Sequence, residues 1–212
     1  MKIEINLKII IVLIFSFIIN NQDAYIIFLI FIVIHEIMHL IVGICIGGKP
    51  QKITLNPFGI SLELYLYGKI KVINKILFYL SGPIINLLIA IIFLKFINIT
   101  YWSMLIIYIN LAICFFNLIP IYPLDGGKLI KEFLKEIIGL EKSNKCVMVI
   151  SKIFLGIITF LYSILIIEIQ NIFILALIVY LWYIYFVEEK KYYIYEKAIN
   201  VIKEKNVSNS LK

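Results

Sequence analysis

The chain has 212 residues, of which 63% are hydrophobic and only 16% charged, with a mean hydropathy of +1.03 and a net charge of +7. A soluble domain of this size cannot cover so much apolar surface, so the composition excludes a soluble fold and puts the chain in lipid. The positive charge lies between apolar runs, where it faces anionic headgroups, and this argues against nucleic acid as a partner.

In chain order, apolar stretches run over 3–19, 24–46, 76–97, 101–119, 147–167 and 172–187. Each is close to the roughly 20 helical residues needed to cross about 30 Å of hydrocarbon. The expected fold is therefore an all-α polytopic membrane protein with six transmembrane helices. The first run follows Lys2 and Lys8 and imitates a signal peptide. The bulky polar Asn20-Asn21-Gln22-Asp23 that follows lacks a small-residue cleavage site, so a retained span is expected.

Lysines cluster before the first run and after the second, fourth and sixth, whereas connections 20–23, 98–100 and 168–171 hold none. Positive residues stay on the cytosolic side, which sets both termini in the cytosol. Every basic residue is Lys, and Ile and Asn abound, a usage that fits an A/T-rich bacterial genome and hence a bacterial cytoplasmic membrane. Cys45, Cys114 and Cys146 form no Cys-x-x-Cys pair and read as apolar packing.

Connection 47–75 reads as strand. Ile60, Leu62, Leu64 and Leu66 alternate with Ser61, Glu63, Tyr65 and Tyr67, and Asn56-Pro57-Phe58-Gly59 supplies a turn. A small membrane-associated β-hairpin between helices 2 and 3 is the expectation. Connection 118–145 opens with Pro120 and Pro123 and ends in a Lys/Glu-rich helix. Residues 1–187 thus form a transmembrane domain with core helices 24–46, 76–97 and 101–130, and 188–212 a short charged cytosolic tail.

The chemistry sits in the second run. His35 and His39 are the only histidines, four apart, in His35-Glu36-Ile37-Met38-His39. On a helix this spacing puts both imidazoles on one face, able to share one Zn2+, with Glu36 beside the open position as general base. Chance would give this pattern roughly once in 2,000 such chains. Ionisable groups inside a span are costly and usually mark function.

A catalytic zinc takes three protein ligands and a water, so a third ligand must come from a carboxylate or a cysteine. Only two aspartates exist, and Asp23 lies at the opposite end of its helix from His39, which leaves Asp125 ahead of Cys114, Cys45 and Glu63. Asp125 follows Pro120 and Pro123 and precedes Gly126 and Gly127. Broken backbone of this kind survives at membrane depth only where it lines a cavity. A metal transporter or metal-binding scaffold is the other class that buried His and Asp would serve, but it calls for ligands strung along a path.

These residues resemble the site-2 protease family of intramembrane zinc metalloproteases, with its His-Glu-x-x-His helix and a downstream Asp-Gly motif. Ser81-Gly82-Pro83-Ile84-Ile85-Asn86 looks like the family's Gly-Pro-x-x-Asn. Leu55 to Gly59, Asn117 to Lys128 and Val187-Glu188-Glu189 look like its sporulation branch. The resemblance implies cleavage of a membrane-associated protein, the precursor of the late mother-cell sigma factor K. It also implies inhibitory membrane partners and a place in the mother-cell or outer forespore membrane. No nucleotide-sensing CBS domain and no PDZ insertion are expected in these residues. Asn86 and Asn117 are candidates to hold substrate backbone or the oxyanion. The strand with Gly59, Ile60 and Leu62 is an edge for an unwound substrate, and Pro120 and Gly126 line the water path.

Overall fold

The computed structural model describes residues 2–5, 22–56, 59–66, 71–169 and 172–210. They divide into two compact units, Met1–Leu118 and Ile119–Lys212. The first holds β1 (Lys2–Ile5), α1 (Gln22–Cys45), β2 (Gly48–Asn56), β3 (Gly59–Leu66), α2 (Val72–Phe96) and α3 (Tyr101–Leu118). The second holds α4 (Asp125–Ile138), α5 (Leu140–Ile169) and α6 (Ile172–Ser210).

In the first unit α1 packs on α2 and α3, and α2 on α3. The buried stripe of α1 is Ile32, His35 and His39, spaced by three and four so that they share one helix face. Ile30, Ile37, Ile41 and Ile44 point away from it and are exposed, as an apolar face against lipid would be. The buried face of α2 is Ser81, Gly82, Pro83, Asn86 and Ala90, small side chains that let two backbones approach closely. The turn that follows α1 closes at Gly47, whose φ of 89° is left-handed and whose N–H donates to the Ile44 carbonyl at 2.9 Å.

The expectation of six spans plus a two-stranded hairpin is corrected on two counts. Among the described residues four helices are long and apolar enough to cross a membrane: Asp23–Cys45, Val72–Phe96, Tyr101–Leu118 and Leu140–Ile164. The expected first span over 3–19 begins instead as strand β1, and its remainder lies outside the described residues. Lys2-Ile3-Glu4-Ile5 alternates with a period of two, a pattern that the apolar run behind it hides. The stretch 172–187 is not among the four; it opens α6, which continues without a break into Glu188, Glu189, Lys190 and Lys191.

The second correction concerns the strands. The strands do not stand as a two-stranded hairpin alone: among the described residues β2 and β3 belong to a three-stranded sheet in the order β1-β2-β3. β1 pairs parallel with β2, Ile3 opposite Ile53, and β2 pairs antiparallel with β3, Ile53 opposite Leu62. A register shift between Pro50 and Lys52 follows from Pro50, which has no N–H to give the ladder.

In the second unit the core of α5 and α6 is Val147, Ser151, Leu155 and Tyr162 against Ile178, Leu181 and Tyr185. The Ser151 hydroxyl donates to Val147 O at 2.8 Å and accepts from the Tyr122 N–H at 2.9 Å, which ties the segment before α4 to α5. Gly139, with φ 80°, separates α4 from α5, and Ser143 Oγ donates back to Lys131 O at 2.7 Å.

Candidate metal centre

His35 and His39 are 1% and 4% exposed, and their Nε2 atoms lie 3.2 Å apart. The rings meet edge to face, 79° between planes, so the two Nε2 atoms converge while the Nδ1 atoms point apart.

What each Nδ1 touches decides which nitrogen carries the proton. Nδ1 of His39 is 2.7 Å from the Phe78 carbonyl, which can only accept, so Nδ1 holds the hydrogen. Ser81 Oγ, itself donating to Phe78 O at 2.8 Å, sits 3.1 Å from the same nitrogen. Nδ1 of His35 is 2.7 Å from Asn86 Oδ1. The Asn86 Nδ2 donates to Asn110 Oδ1 at 2.9 Å, and the Asn110 Nδ2 donates to the Ile106 carbonyl at 2.9 Å. That sequence runs one way only, from ring N–H through two amides to a backbone oxygen. Both neutral imidazoles therefore turn a lone pair on Nε2 toward each other.

Two acceptors at 3.2 Å repel, whereas two nitrogens bound to one tetrahedral zinc at about 2.0–2.1 Å stand about 3.3 Å apart. The pair fits a divalent cation. Gly82 supplies the space: a Cβ there would lie 2.5 Å from His35 Nε2 and would overlap His39 Nε2 as well. Only glycine leaves that point open between two converging rings.

Glu36 follows His35 on α1 and is half-buried. Asp125 belongs to the second unit, where it is the first residue of α4, 6% exposed, with Lys128 Nζ 3.4 Å from its Oδ1. The helix N-terminus favours a carboxylate at that place. Gly127 is required there, because a Cβ would come within 2.5 Å of the Ile121 and Tyr122 backbone. The turn from Pro120 to Leu124 closes with a Leu124 N–H to Ile121 O bond of 2.8 Å, and Gly126 is buried behind it.

Of the other expected site residues, Asn86 gives its amide to His35 and Asn110, as above. Asn117 donates to Ile113 O at 3.0 Å, within its own helix. Gly59, Ile60 and Leu62 stand opposite Asn56, Leu55 and Ile53 in the β2–β3 ladder. Sequence reasoning assigned no role to Asn110, to the Phe78 carbonyl or to Ser81, which it named only as part of the Gly-Pro motif. An amide in the middle of the apolar run 101–119 was the available signal for Asn110.

Apolar helices that carry a His-Glu-x-x-His pair, with both Nε2 atoms turned to one point, define a metal-binding centre in a membrane-spanning fold. Comparison with known proteins agrees. The Peptidase family M50 model matches residues 94–161. A zinc metalloprotease of Methanocaldococcus jannaschii is 30% identical over 128 residues, 57% of this chain and 37% of that protein. Stage IV sporulation protein FB of Bacillus subtilis is 27% identical over 130 residues, 59% of this chain and 45% of that protein. The chain thus spans less than half the length of these two curated relatives in the matched region. Among solved structures, the site-2 protease from Methanocaldococcus jannaschii superposes with a TM-score of 0.68 at 26% identity, covering 89% of both chains. The chain is thus similar to M50 zinc metalloproteases in sequence over part of its length and to a site-2 protease in fold.

Proposed function

We propose that this chain is an intramembrane zinc metalloendopeptidase in which His35, His39 and Asp125 hold Zn2+ and Glu36 is the general base. The observation that carries this reading is the fixing of both Nδ1–H groups, by Asn86 Oδ1 and by Phe78 O, each at 2.7 Å, which leaves both Nε2 lone pairs for one cation. Asp125 is the third ligand by chemistry: a hydrolytic zinc takes three protein ligands, the chain has no third histidine, and this carboxylate is buried.

When bound, zinc polarises the scissile carbonyl and makes a water acidic enough to attack near neutral pH. Glu36 takes the proton from that water and delivers it to the leaving amine. The α1–α2 contact keeps bulk water from the imidazoles, and Asn86 and Ser81 hold the rings through the turnover.

The substrate is a membrane-associated protein. A transmembrane helix hides its carbonyls in its own hydrogen bonds, so the cleaved segment must unwind before attack. β3 has β2 on one side and no described strand on the other, so Gly59, Ile60 and Leu62 lie on an edge open to strand addition. Asn117, Pro120 and Gly126 would line the approach. The lysine distribution favours cytosolic termini. The likeness to stage IV sporulation protein FB favours a pro-sigma factor, the precursor of sigma K, as substrate, with inhibitory membrane proteins as regulators, in the mother-cell or outer forespore membrane of a spore former.

The test is coexpression with that precursor, read as a mobility shift, for the intact chain and for Glu36→Gln. Cleavage by the intact chain and none by the variant is expected. Equal cleavage by both would end the enzyme reading. Proline at alternate positions across 60–66 should stop cleavage while zinc stays bound; unchanged cleavage would refute strand pairing.

A further inference from the structure

The second unit contains a cavity of about 350 Å³ that the proteolytic chemistry does not use, walled by α4, α5, α6 and the segment before α4. Its lining includes Tyr122, Lys131, Leu140, Asn144, Glu188 and Lys191.

Two of these groups are left incomplete by the protein. Lys131 is half-buried with its ammonium 4.8 Å over the Tyr122 ring; Glu132 and Glu188 act on its charge from a distance but are ion-paired to Lys135 and Lys191, and among the described residues Lys131 has no ion pair of its own. Lys191, by contrast, is paired with Glu188 at 2.6 Å. The Asn144 Oδ1 is buried and has no hydrogen-bond partner among the described residues, which costs about 1–3 kcal/mol in a folded protein. An ammonium without an ion pair of its own, on α4, and an amide oxygen without a donor, on α5, thus line the same cavity. One ligand answers both if it carries a phosphate and a hydroxyl.

The position of the cavity says where such a ligand comes from. Leu140 opens the membrane-crossing stretch Leu140–Ile164, and Glu188 and Lys191 follow directly on the apolar start of α6. The cavity therefore straddles the join between apolar and charged helix, the depth at which lipid phosphates lie and tyrosines collect. The α5 residues Val149, Ile153 and Phe154 below it are exposed and apolar, a surface along which acyl chains can lie. We propose that this cavity binds the headgroup of an anionic phospholipid with free headgroup hydroxyls, of the phosphatidylglycerol kind, with its phosphate on Lys131 and a hydroxyl on Asn144. Burial pulls the Lys131 ammonium below its ordinary pKa, and a phosphate beside it reverses that shift. Basic pockets between transmembrane helices hold anionic headgroups in this manner.

The experiment uses the full chain purified in a neutral detergent, with bound lipid counted by native mass spectrometry. Short-chain phosphatidylglycerol, phosphatidic acid and phosphatidylcholine of equal acyl length are the probes. The intact chain should favour phosphatidylglycerol over phosphatidylcholine by about fivefold or more, the effect of one lysine at a membrane surface. Lys131→Met should remove that preference, and Lys131→Arg should keep it. Asn144→Leu should remove the preference for phosphatidylglycerol over phosphatidic acid, which has no headgroup hydroxyl. Lys142→Met, at an exposed lysine in the first turn of α5, should change nothing. Equal losses in Lys131→Met and Lys142→Met would reduce the effect to general charge and overturn the site. Displacement of the lipid by free glycerol 3-phosphate at matched concentration would also overturn it, and would assign the cavity to a soluble phosphate ester.

Discussion

Asn86 Oδ1 accepts from Nδ1–H of His35 at 2.7 Å, and the same amide is held from behind by Asn110 at 2.9 Å. Both asparagines are fully buried, so the orientation of the ring depends on two amides on two further helices. Such outer partners of a metal-bound histidine are typically worth about 10- to 100-fold in metal affinity. Asn86→Ala should therefore weaken zinc binding by about that factor, measured by competition with a chromogenic chelator. Asn110→Leu should weaken it less, and Asn110→Asp should restore most of the loss because a buried, protonated Asp still accepts from Asn86 Nδ2 and donates to Ile106 O. Full affinity in Asn110→Leu would mean that the second amide is only packing.

Gly82→Ala adds one methyl at the point where the two imidazoles converge. Because α2 gains helix propensity by the change, the helix itself is not weakened. Zinc content should fall to near zero while the helical circular dichroism and elution volume stay those of the parent chain. Retention of stoichiometric zinc would contradict the geometry given for the pair.

Glu36→Gln keeps size and hydrogen bonding but removes the basic oxygen. Metal content should be unchanged, and peptide-bond cleavage should fall by about 10²- to 10⁴-fold, the usual contribution of a general base. The two readouts together separate catalysis from assembly of the site.

Gly127→Ala acts within the second unit, where the added methyl meets the backbone of Ile121 and Tyr122 rather than a movable side chain. Overpacking of this kind costs about 1–3 kcal/mol, so the variant should show a lowered thermal midpoint and lose activity together with it. Ser151→Ala should cost a similar amount by leaving the Tyr122 N–H without its acceptor at 2.9 Å.

The metal motif was legible because two histidines at i, i+4 with an intervening glutamate have few other reasons to lie in an apolar run. Asn86 was legible as part of a motif, but its hydrogen bonds were not, since they are made across helices 51 and 24 residues away in sequence. The alternation from Ile60 to Leu66 marked a strand. β1 was hidden because four alternating residues in front of a long apolar run are outweighed by that run. Its parallel pairing with β2, Lys2 opposite Lys52, is set by tertiary contact and leaves no local trace. The number of spans among the described residues differs from the expected six for a related reason: apolar length does not say whether a run starts as strand, as at Ile3, or runs on into charge, as after Val187.

The measurement that tests the account most directly is the zinc content of the purified chain with Asp125 intact and with Asp125→Ala, determined by atomic emission after removal of loosely held metal. One zinc per chain in the first and essentially none in the second is the expected result. Equal, tightly held zinc in both would contradict it, because the two imidazoles would then be holding their cation without this carboxylate.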